Sequence, residues 1–246
     1  MFADDKNMKT LIALFDKYKI NNDGKRELYN IIKPIFMHPE FQNRFGNDFM
    51  HHGDISISEH VIEDAIKTYL LSKIYMLKKN DKKFDIKTAV IIAMLHDLYT
   101  IPWQNNLQAK VKKYNNAHGF RHPVEAVINS YCWYPELFYD DEITDKIVDG
   151  IVHHMYPLPV IVIDNSNYNK WELRNYDLFL GLPEKIKDKL IDTTSRGRIG
   201  CFSISRSKYM EGRIMSKADK YVSIRQLKSI YDMTALVTGK NRGLKK

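Results

Sequence analysis

The sequence predicts an all-α fold, and three observations support that prediction. Apolar residues recur at the three- and four-residue spacing of amphipathic helices along most of the 246 residues. Proline, glycine, serine and aspartate occur where these periodic segments begin or end. The best candidate for a strand is Val160–Ile163, and a buried extended segment fits it equally well. We therefore expect one helical domain over residues 1–246, without a clear internal boundary.

Four helices are predicted in the first hundred residues. The stretch Asn21–Gly24 interrupts the helical pattern after the first of them. A serine is positioned to cap the third, whereas Asp85 can cap the fourth and Pro102 ends it. The predicted bounds are Met8–Tyr18, Glu27–Phe36, Ser56 or Ser58 to Leu77, and Lys87–Leu98.

Four more helices are predicted in the second half of the chain. Pro123 begins one of them, because proline is favoured in the first turn of a helix. Residues 164–210 show little periodicity, so we expect an irregular insertion with one short helix before the last long helix. The predicted bounds are Pro123–Trp133, Asp141–His154, Pro183–Ile191 and Met210–Leu236.

Composition and charge narrow the class of protein. The longest apolar run, Ala89–Leu95, is far shorter than the roughly 20 residues of a membrane helix, and the first residues do not resemble a secretion signal. A cytoplasmic location is therefore expected.

Cys132 and Cys201 form no C-x-x-C pair, which argues against a cysteine-based zinc site. The net charge of +8 favours an anionic substrate, but the spread of lysines indicates a solvated surface rather than a nucleic-acid interface.

Histidines are concentrated in one part of the chain, since eight of the nine lie between positions 51 and 154. Neutral imidazole is the commonest ligand of transition metals in proteins. His96 and Asp97 end the apolar helix AVIIAMLHD, where a carboxylate is costly to bury unless it is paired. A metal ion would provide that partner, so this pair is the strongest candidate for metal ligands.

Five sequence phrases, taken in chain order, contribute the residues of a pattern of the form H…HD…H…H…D. They are HHGDISISEHVI, AVIIAMLHDL, HGFRHPVEAV, HHMYPLP and SKADKYVS, and HHMYPLP is similar to one bacterial branch of a known family. Their order resembles that of the HD-domain metal-dependent phosphohydrolases over about residues 50–160 and 211–230. The resemblance implies an HD-domain helical bundle in which residues 164–210 are an insertion that affects the choice of substrate.

The resemblance also implies which side chains bind metal. The six predicted ligands are His60, His96, Asp97, His122, His154 and Asp219. Four of them would bind one divalent ion, and His122 and His154 would help to hold a second, with Asp97 as the natural bridge. His153 is an alternative to His154, although the His-Met-aromatic-Pro phrase favours His154. Mixed histidine and aspartate ligands suit manganese, iron, cobalt, nickel or zinc, as one ion or two.

The residues alone also allow structural interpretations of these side chains. His60 is suited to capping a helix, and Asp219 to an ordinary ion pair with Lys217 or Lys220. Histidines at helix ends, such as His122 and His154, often interact only with the helix dipole.

Four residues are predicted to act on the substrate: Asp97, His118, Arg121 and Lys220. His118 could protonate the leaving oxygen, whereas Arg121 and Lys220 could offset phosphate charge or simply be surface cations. Three further histidines have open or structural roles: His51 and His52 as phosphate contacts or plain loop residues, and His38 as a structural residue. Glu63 departs from the family pattern and either tunes the site or faces solvent.

The expected function is hydrolysis of a phosphomonoester or phosphodiester, in a nucleotide or another small phosphorylated metabolite, by water that the metal activates. The alternative is a non-catalytic sensor or regulatory protein that uses metal for structure. Nucleic-acid binding is a third possibility that only the net charge suggests. The sequence indicates neither the substrate nor the oligomeric state.

Overall fold

The structure is a computed structural model that describes residues 5–45, 50–52, 55–98, 112–164, 173 and 175–230. For residues 5, 50, 52, 112–118 and 228–230 it describes the backbone alone. The described part is mostly helical, and the prediction of an all-α fold is confirmed. Among the described residues, no helix has the length and apolar character needed to cross a membrane.

Ten α-helices occur in the described part of the chain. They are α1 (Asp5–Lys17), α2 (Asn22–Phe36), α3 (Pro39–Asn43), α4 (Ile57–Lys79), α5 (Ile86–Leu95), α6 (Lys112–Trp133), α7 (Asp141–Val152), α8 (Tyr176–Leu180), α9 (Glu184–Ser195) and α10 (Met210–Ile230). A 3-10 turn, Pro135–Phe138, links α6 to α7. The predicted end of the last helix, residues 231–236, lies outside the described residues.

Helix α5 lies at the centre of the bundle. It packs against α2, α4, α6, α7 and α10, so every side chain from Thr88 to Leu95 is buried. This explains its apolar sequence, since a helix that is apolar all round must be covered on all sides. Asp85 caps its first turn by accepting a hydrogen bond of 2.9 Å from the Lys87 amide, as predicted.

Helices α4, α7 and α10 surround this central helix, and α10 also contacts both α4 and α7. Ser56 caps α4, which places His60 in the first turn of that helix. Helices α7 and α10 approach closely at two glycines, because a Cβ added to Gly212 would lie 2.7 Å from Gly150 Cα. The close approach brings the middle of α10 next to the residues that follow α7.

Two helices begin more than one turn earlier than predicted. Helix α2 starts at Asn22, because Asn21 in the predicted break accepts a hydrogen bond from the Gly24 amide and caps the helix. Helix α6 starts at Lys112, so Pro123 lies inside the helix rather than in its first turn. The carbonyl that the Pro123 ring faces belongs to Gly119, which has no side chain to add to the crowding. His122 is therefore within a helix, and its predicted place at a helix start was wrong.

The segment before the last long helix was predicted to be irregular, but its described residues include short strands and helices. Strand β3 (Val160–Ile161) pairs antiparallel with β5 (Phe202–Ser203), which also pairs with β4 (Arg198–Ile199). Helix α9 corresponds to the predicted short helix and packs on α7. A two-stranded ribbon of β1 (Met50–His52) and β2 (Ile55–Ser56) leads into α4.

Candidate metal centre

The six predicted ligands lie together in the interior of the bundle, and each is at most 6% exposed. Their elements are α4 for His60, the residues directly after α5 for His96 and Asp97, α6 for His122, the turn after α7 for His154, and α10 for Asp219. The packing of these helices on one another explains why residues so far apart in sequence meet. We call this group, together with Asp64, the metal centre.

One side of the metal centre is formed by His60, Asp64, His96 and Asp219. Each offers a ligand atom within 4.8 Å of those of the other three. His60 Nε2 lies 2.9 Å from Asp64 Oδ2 and 3.6 Å from Asp219 Oδ1. His96 Nε2 lies 3.5 Å from the same Asp64 oxygen. Two imidazoles and two carboxylates thus face one small volume.

Asp97 connects this side to a second one. Its Oδ2 is 3.8 Å from Nε2 of both His60 and His96. Its Oδ1 is 3.2 Å from His122 Nε2 and 3.7 Å from His154 Nε2. The two carboxylate oxygens of Asp97 therefore face different histidine pairs.

The histidine rings are oriented by hydrogen bonds on the nitrogen that faces away from the metal centre. His96 Nδ1 donates to the Ala93 carbonyl at 2.8 Å, and His154 Nδ1 donates to the Ile151 carbonyl at 2.7 Å. A carbonyl can only accept, so Nδ1 carries a proton in both rings, and the neutral form of each ring has its lone pair on Nε2, which faces the metal centre. The backbone at the ends of α5 and α7 therefore sets the tautomer of both rings.

His60 is oriented by a side chain instead. Its Nδ1 lies 2.9 Å from Gln226 Oε1, and Gln226 Nε2 donates to Glu63 Oε2 at 2.9 Å. Glu63 is 2% exposed, so it does not face solvent. Three further side chains contact its carboxylate: Lys17 at 2.8 Å, Tyr18 at 3.0 Å, and Arg225. Glu63 thus reaches His60 through Gln226 and belongs to the support of the metal centre.

Burial and neighbouring charges have opposite effects on the pKa values of Asp97 and Asp219. Burial alone would raise the pKa of Asp97, but the imidazoles of His96, His122 and His51 hold it well below its usual range. The pKa of Asp219 is also lowered against the effect of burial, by its hydrogen bond with His60 and by nearby histidines. Both side chains are therefore carboxylates at neutral pH.

Burial and neighbouring charges also give His60 and His154 different pKa values. Burial opposes the charged form of His60, yet the carboxylates of Asp64, Asp219 and Asp97 raise its pKa well above the usual value. For His154, burial together with His96 and His122 lowers the pKa to about 3. His154 is therefore neutral at pH 7 and able to donate a lone pair.

The side chains fit a divalent metal ion. Among the described residues, His96 Nε2 and Asp64 Oδ1 have no hydrogen-bond partner although both side chains are fully buried. Buried polar atoms without a partner are costly, and a cation between them would remove that cost. Imidazole nitrogens with carboxylate oxygens suit manganese, iron, cobalt, nickel and zinc. These buried groups could therefore hold a metal ion.

Among the other predicted site residues, the structure describes the side chains of Arg121 and Lys220. Arg121 is buried, at 2% exposure, directly before His122. Lys220 follows Asp219 but turns away, and its Nζ donates to Ser216 Oγ at 2.9 Å and to the Tyr156 carbonyl. The side chains of His118 and His52 lie outside the described residues.

Three histidines with open roles have defined positions. His51 stacks on His60 with ring centroids 3.6 Å apart, and its Nδ1 lies 3.5 Å from Asp97 Oδ2. His153 is buried but hydrogen-bonds to the Thr193 backbone, away from the cluster that contains His154. His38 caps α3 by accepting from the Glu40 amide at 3.3 Å.

Sequence reasoning missed Asp64 and Gln226. Asp64 lies four residues after His60 in α4, so the two share a helix face. A carboxylate among the buried residues Val61, Ile62 and Ala65 was the signal that could have identified it. Among the described residues, Asp219 forms no ion pair with Lys217 or Lys220, the structural alternative considered for it.

Comparison with known proteins gives no match. No protein-family model matches the chain, and neither does a curated protein or a solved structure.

Proposed function

We propose that this chain is a metal-dependent phosphohydrolase of the HD-domain type, acting on a phosphoester of a nucleotide or another small phosphorylated metabolite. The observation that carries the proposal is the position of Asp97, whose two oxygens face the His60–His96 pair and the His122–His154 pair. The five sequence phrases that resemble HD-domain phosphohydrolases contribute these same side chains.

The metal centre has enough ligands for one ion or two. His60, Asp64, His96 and Asp219 would hold the first, and His122 and His154 a second, with Asp97 between them. A divalent ion at such a position lowers the pKa of coordinated water and polarises a phosphoryl oxygen. Both effects assist attack on phosphorus without a nucleophile from the protein.

The protein's own side chains would prepare the site for this reaction. Asp97 and Asp219 stay ionised and His154 stays neutral, whereas His60, whose pKa is raised, would give up its proton on binding a metal ion. The orienting bonds from His96 and His154 to backbone carbonyls keep their lone pairs aimed at the centre. Burial of the ligands excludes bulk water and strengthens their electrostatic interactions.

We assign proton transfer to two further histidines, His51 and His118. The side chain of His51 is 17% exposed and contacts Asp97, so it can exchange protons between the metal centre and solvent. His118 remains the residue predicted to protonate the leaving oxygen.

A non-catalytic metal site is the second candidate, and one observation favours it. His60, Asp64 and His96 are fully buried, which resembles a closed structural site more than one open to substrate. The two functions differ in one measurable respect, because a structural metal would stabilise the fold without any turnover.

The experiment measures metal content and turnover for four forms of the full chain: unchanged, Asp97→Asn, His154→Asn and His153→Asn. The two adjacent histidines are both buried, but His154 alone faces Asp97, so His153→Asn is the matched control. We expect Asp97→Asn and His154→Asn to lower turnover of phosphomonoester and phosphodiester panels by about 100-fold or more. Full metal content and full turnover in Asp97→Asn would refute the proposal, and bound metal without any turnover would favour the structural role.

A further inference from the structure

A pocket separate from the metal centre lies beside the first half of α10, on a different face of that helix from Asp219. Its volume is about 270 Å³. We call it the basic pocket and define it by four of its lining residues: Arg206, Arg213, Lys217 and Lys220. Arg213, Lys217 and Lys220 recur at intervals of four and three along α10, so they share one face.

The positive charges of the basic pocket are not balanced by acids. Among the described residues, no carboxylate forms an ion pair with Arg206, Arg213, Lys217 or Lys220, and the pocket lining contains no acid. Arg196 nearby shows the contrast, since it pairs with the buried Asp149. Several cations around one cavity repel each other unless an anion joins them, so the arrangement favours an anionic ligand.

The pocket is built to hold two of these cations in place. Arg213 Nε donates to the Ser207 carbonyl at 2.7 Å, and Lys220 Nζ donates to Ser216 Oγ at 2.9 Å. Arg213 keeps the N–H donors of its two terminal nitrogens, and Lys220, which also donates to the Tyr156 carbonyl, keeps one N–H donor. The bonds reduce the side-chain freedom that would be lost on binding, which is how a preorganised anion site gains affinity.

A ligand with several negative oxygens, such as phosphate or diphosphate, would match the cations of the basic pocket.

We infer that the basic pocket binds the phosphate or diphosphate group of a small ligand at a site separate from the metal centre. The two sites share a wall, because Ser216 lines the pocket and donates to the carbonyl of His154 at 2.6 Å. The size of the cavity fits a small phosphate-bearing molecule better than a nucleic-acid strand, which would need an extended groove with stacking aromatics. Binding does not require an ion in the metal centre.

The test is a calorimetric titration of the full, metal-free chain with inorganic pyrophosphate, then with orthophosphate and a nucleoside monophosphate. Arg206→Gln with Lys217→Gln removes two exposed cations of the pocket. Lys78→Gln with Lys79→Gln removes the same charge from the exposed end of α4 and is the matched control. The titrations are repeated on the chain carrying Asp97→Asn without chelation, in case removal of metal alters the fold.

We expect one saturable site for pyrophosphate. The pocket variant should weaken binding by about tenfold or more, whereas the control pair should change it by about twofold or less. The response to orthophosphate and to the nucleotide distinguishes a free anion from a phosphate carried by a larger molecule. Equal weakening by both pairs, absence of saturable binding, or binding of an oligonucleotide without binding of pyrophosphate would each overturn the inference.

Discussion

The metal centre and the basic pocket adjoin the same helix, α10, but they differ in how their charges are compensated. The metal centre combines three carboxylates with histidines, and its charged groups face one another in the interior. The basic pocket gathers cations that have no carboxylate partner among the described residues. The first arrangement attracts a cation and the second an anion, so the two sides of α10 are suited to opposite ligands.

The largest effect should come from Asp64, the acid that the sequence did not single out. Asp64→Asn keeps the shape of the side chain but removes a fully buried negative charge 2.9 Å from His60 Nε2. We expect the affinity for Mn²⁺ or Zn²⁺ to fall by about 100-fold, as loss of a charged ligand should cost at least as much as loss of an outer-shell partner. Competition with a chromogenic chelator measures the affinity.

Asp145→Asn is the control for this prediction. Asp145 lies on α7, pairs with Lys189 and has no contact with the metal centre. The affinity for metal should be unchanged in this variant. If both aspartate variants bound metal as tightly as the unchanged chain, Asp64 would have no part in the metal centre.

A smaller effect is expected from Glu63, which acts through Gln226 on His60. Glu63→Gln removes the charge that holds Gln226 Nε2, so the orientation of the His60 ring is less well fixed. We expect metal affinity to fall by about tenfold, in the range typical of residues that support a ligand. Thermal unfolding of the metal-free chain shows whether the lower metal affinity reflects only a loss of stability.

Glu59→Gln is the matched substitution, since Glu59 lies one turn earlier on α4 and is only half-buried. A purely structural role for Glu63 would lower the melting temperature without any change in metal affinity beyond that of Glu59→Gln. That result would show that Glu63 does not help to orient His60.

Much of the metal centre could be predicted from the sequence, and the reason lies in the side chains themselves. A histidine–aspartate pair at the end of an apolar helix is costly to bury without a compensating partner, and His96 and Asp97 occupy the interior as expected. Asp64 was missed because a carboxylate in the middle of a helix is usually exposed, and its burial depends on how α4 packs against α5 and α10.

The basic pocket could not be predicted, because a cation's partners are set by tertiary structure. Lys220 adjoins Asp219 in sequence, which suggested a place beside the substrate, yet adjacent residues of a helix point about 100° apart. Strands β4 and β5 were hidden for a similar reason, whereas β3 lies within Val160–Ile163, the predicted candidate for a strand. Segments of two residues carry no periodic signal, and the pairing of Val160 with Ser203 defines them.

The smallest effect is expected at the start of α4. Ser56→Ala removes the hydrogen bond that the Ser56 hydroxyl accepts from the Glu59 amide, at a cost of about 1 kcal/mol in the free energy of unfolding. Because His60 lies in this first turn, metal affinity should also fall slightly. Urea denaturation and the chelator assay measure the two quantities.

Asn21→Ala provides the comparison, because Asn21 caps α2, which contributes no ligand. It should lower the free energy of unfolding by a similar amount and leave metal affinity unchanged. Equal changes of metal affinity in both variants would show that the first turn of α4 has no special relation to the metal centre.

The most direct measurement is an anomalous-difference map from crystals grown with a transition metal, recorded at its absorption edge. We predict a peak within bonding distance of His60, Asp64, His96 and Asp219, with a second peak beside Asp97, His122 and His154 if two ions bind. Retained diffraction with no anomalous peak among these side chains, at saturating metal, would contradict the proposed metal centre.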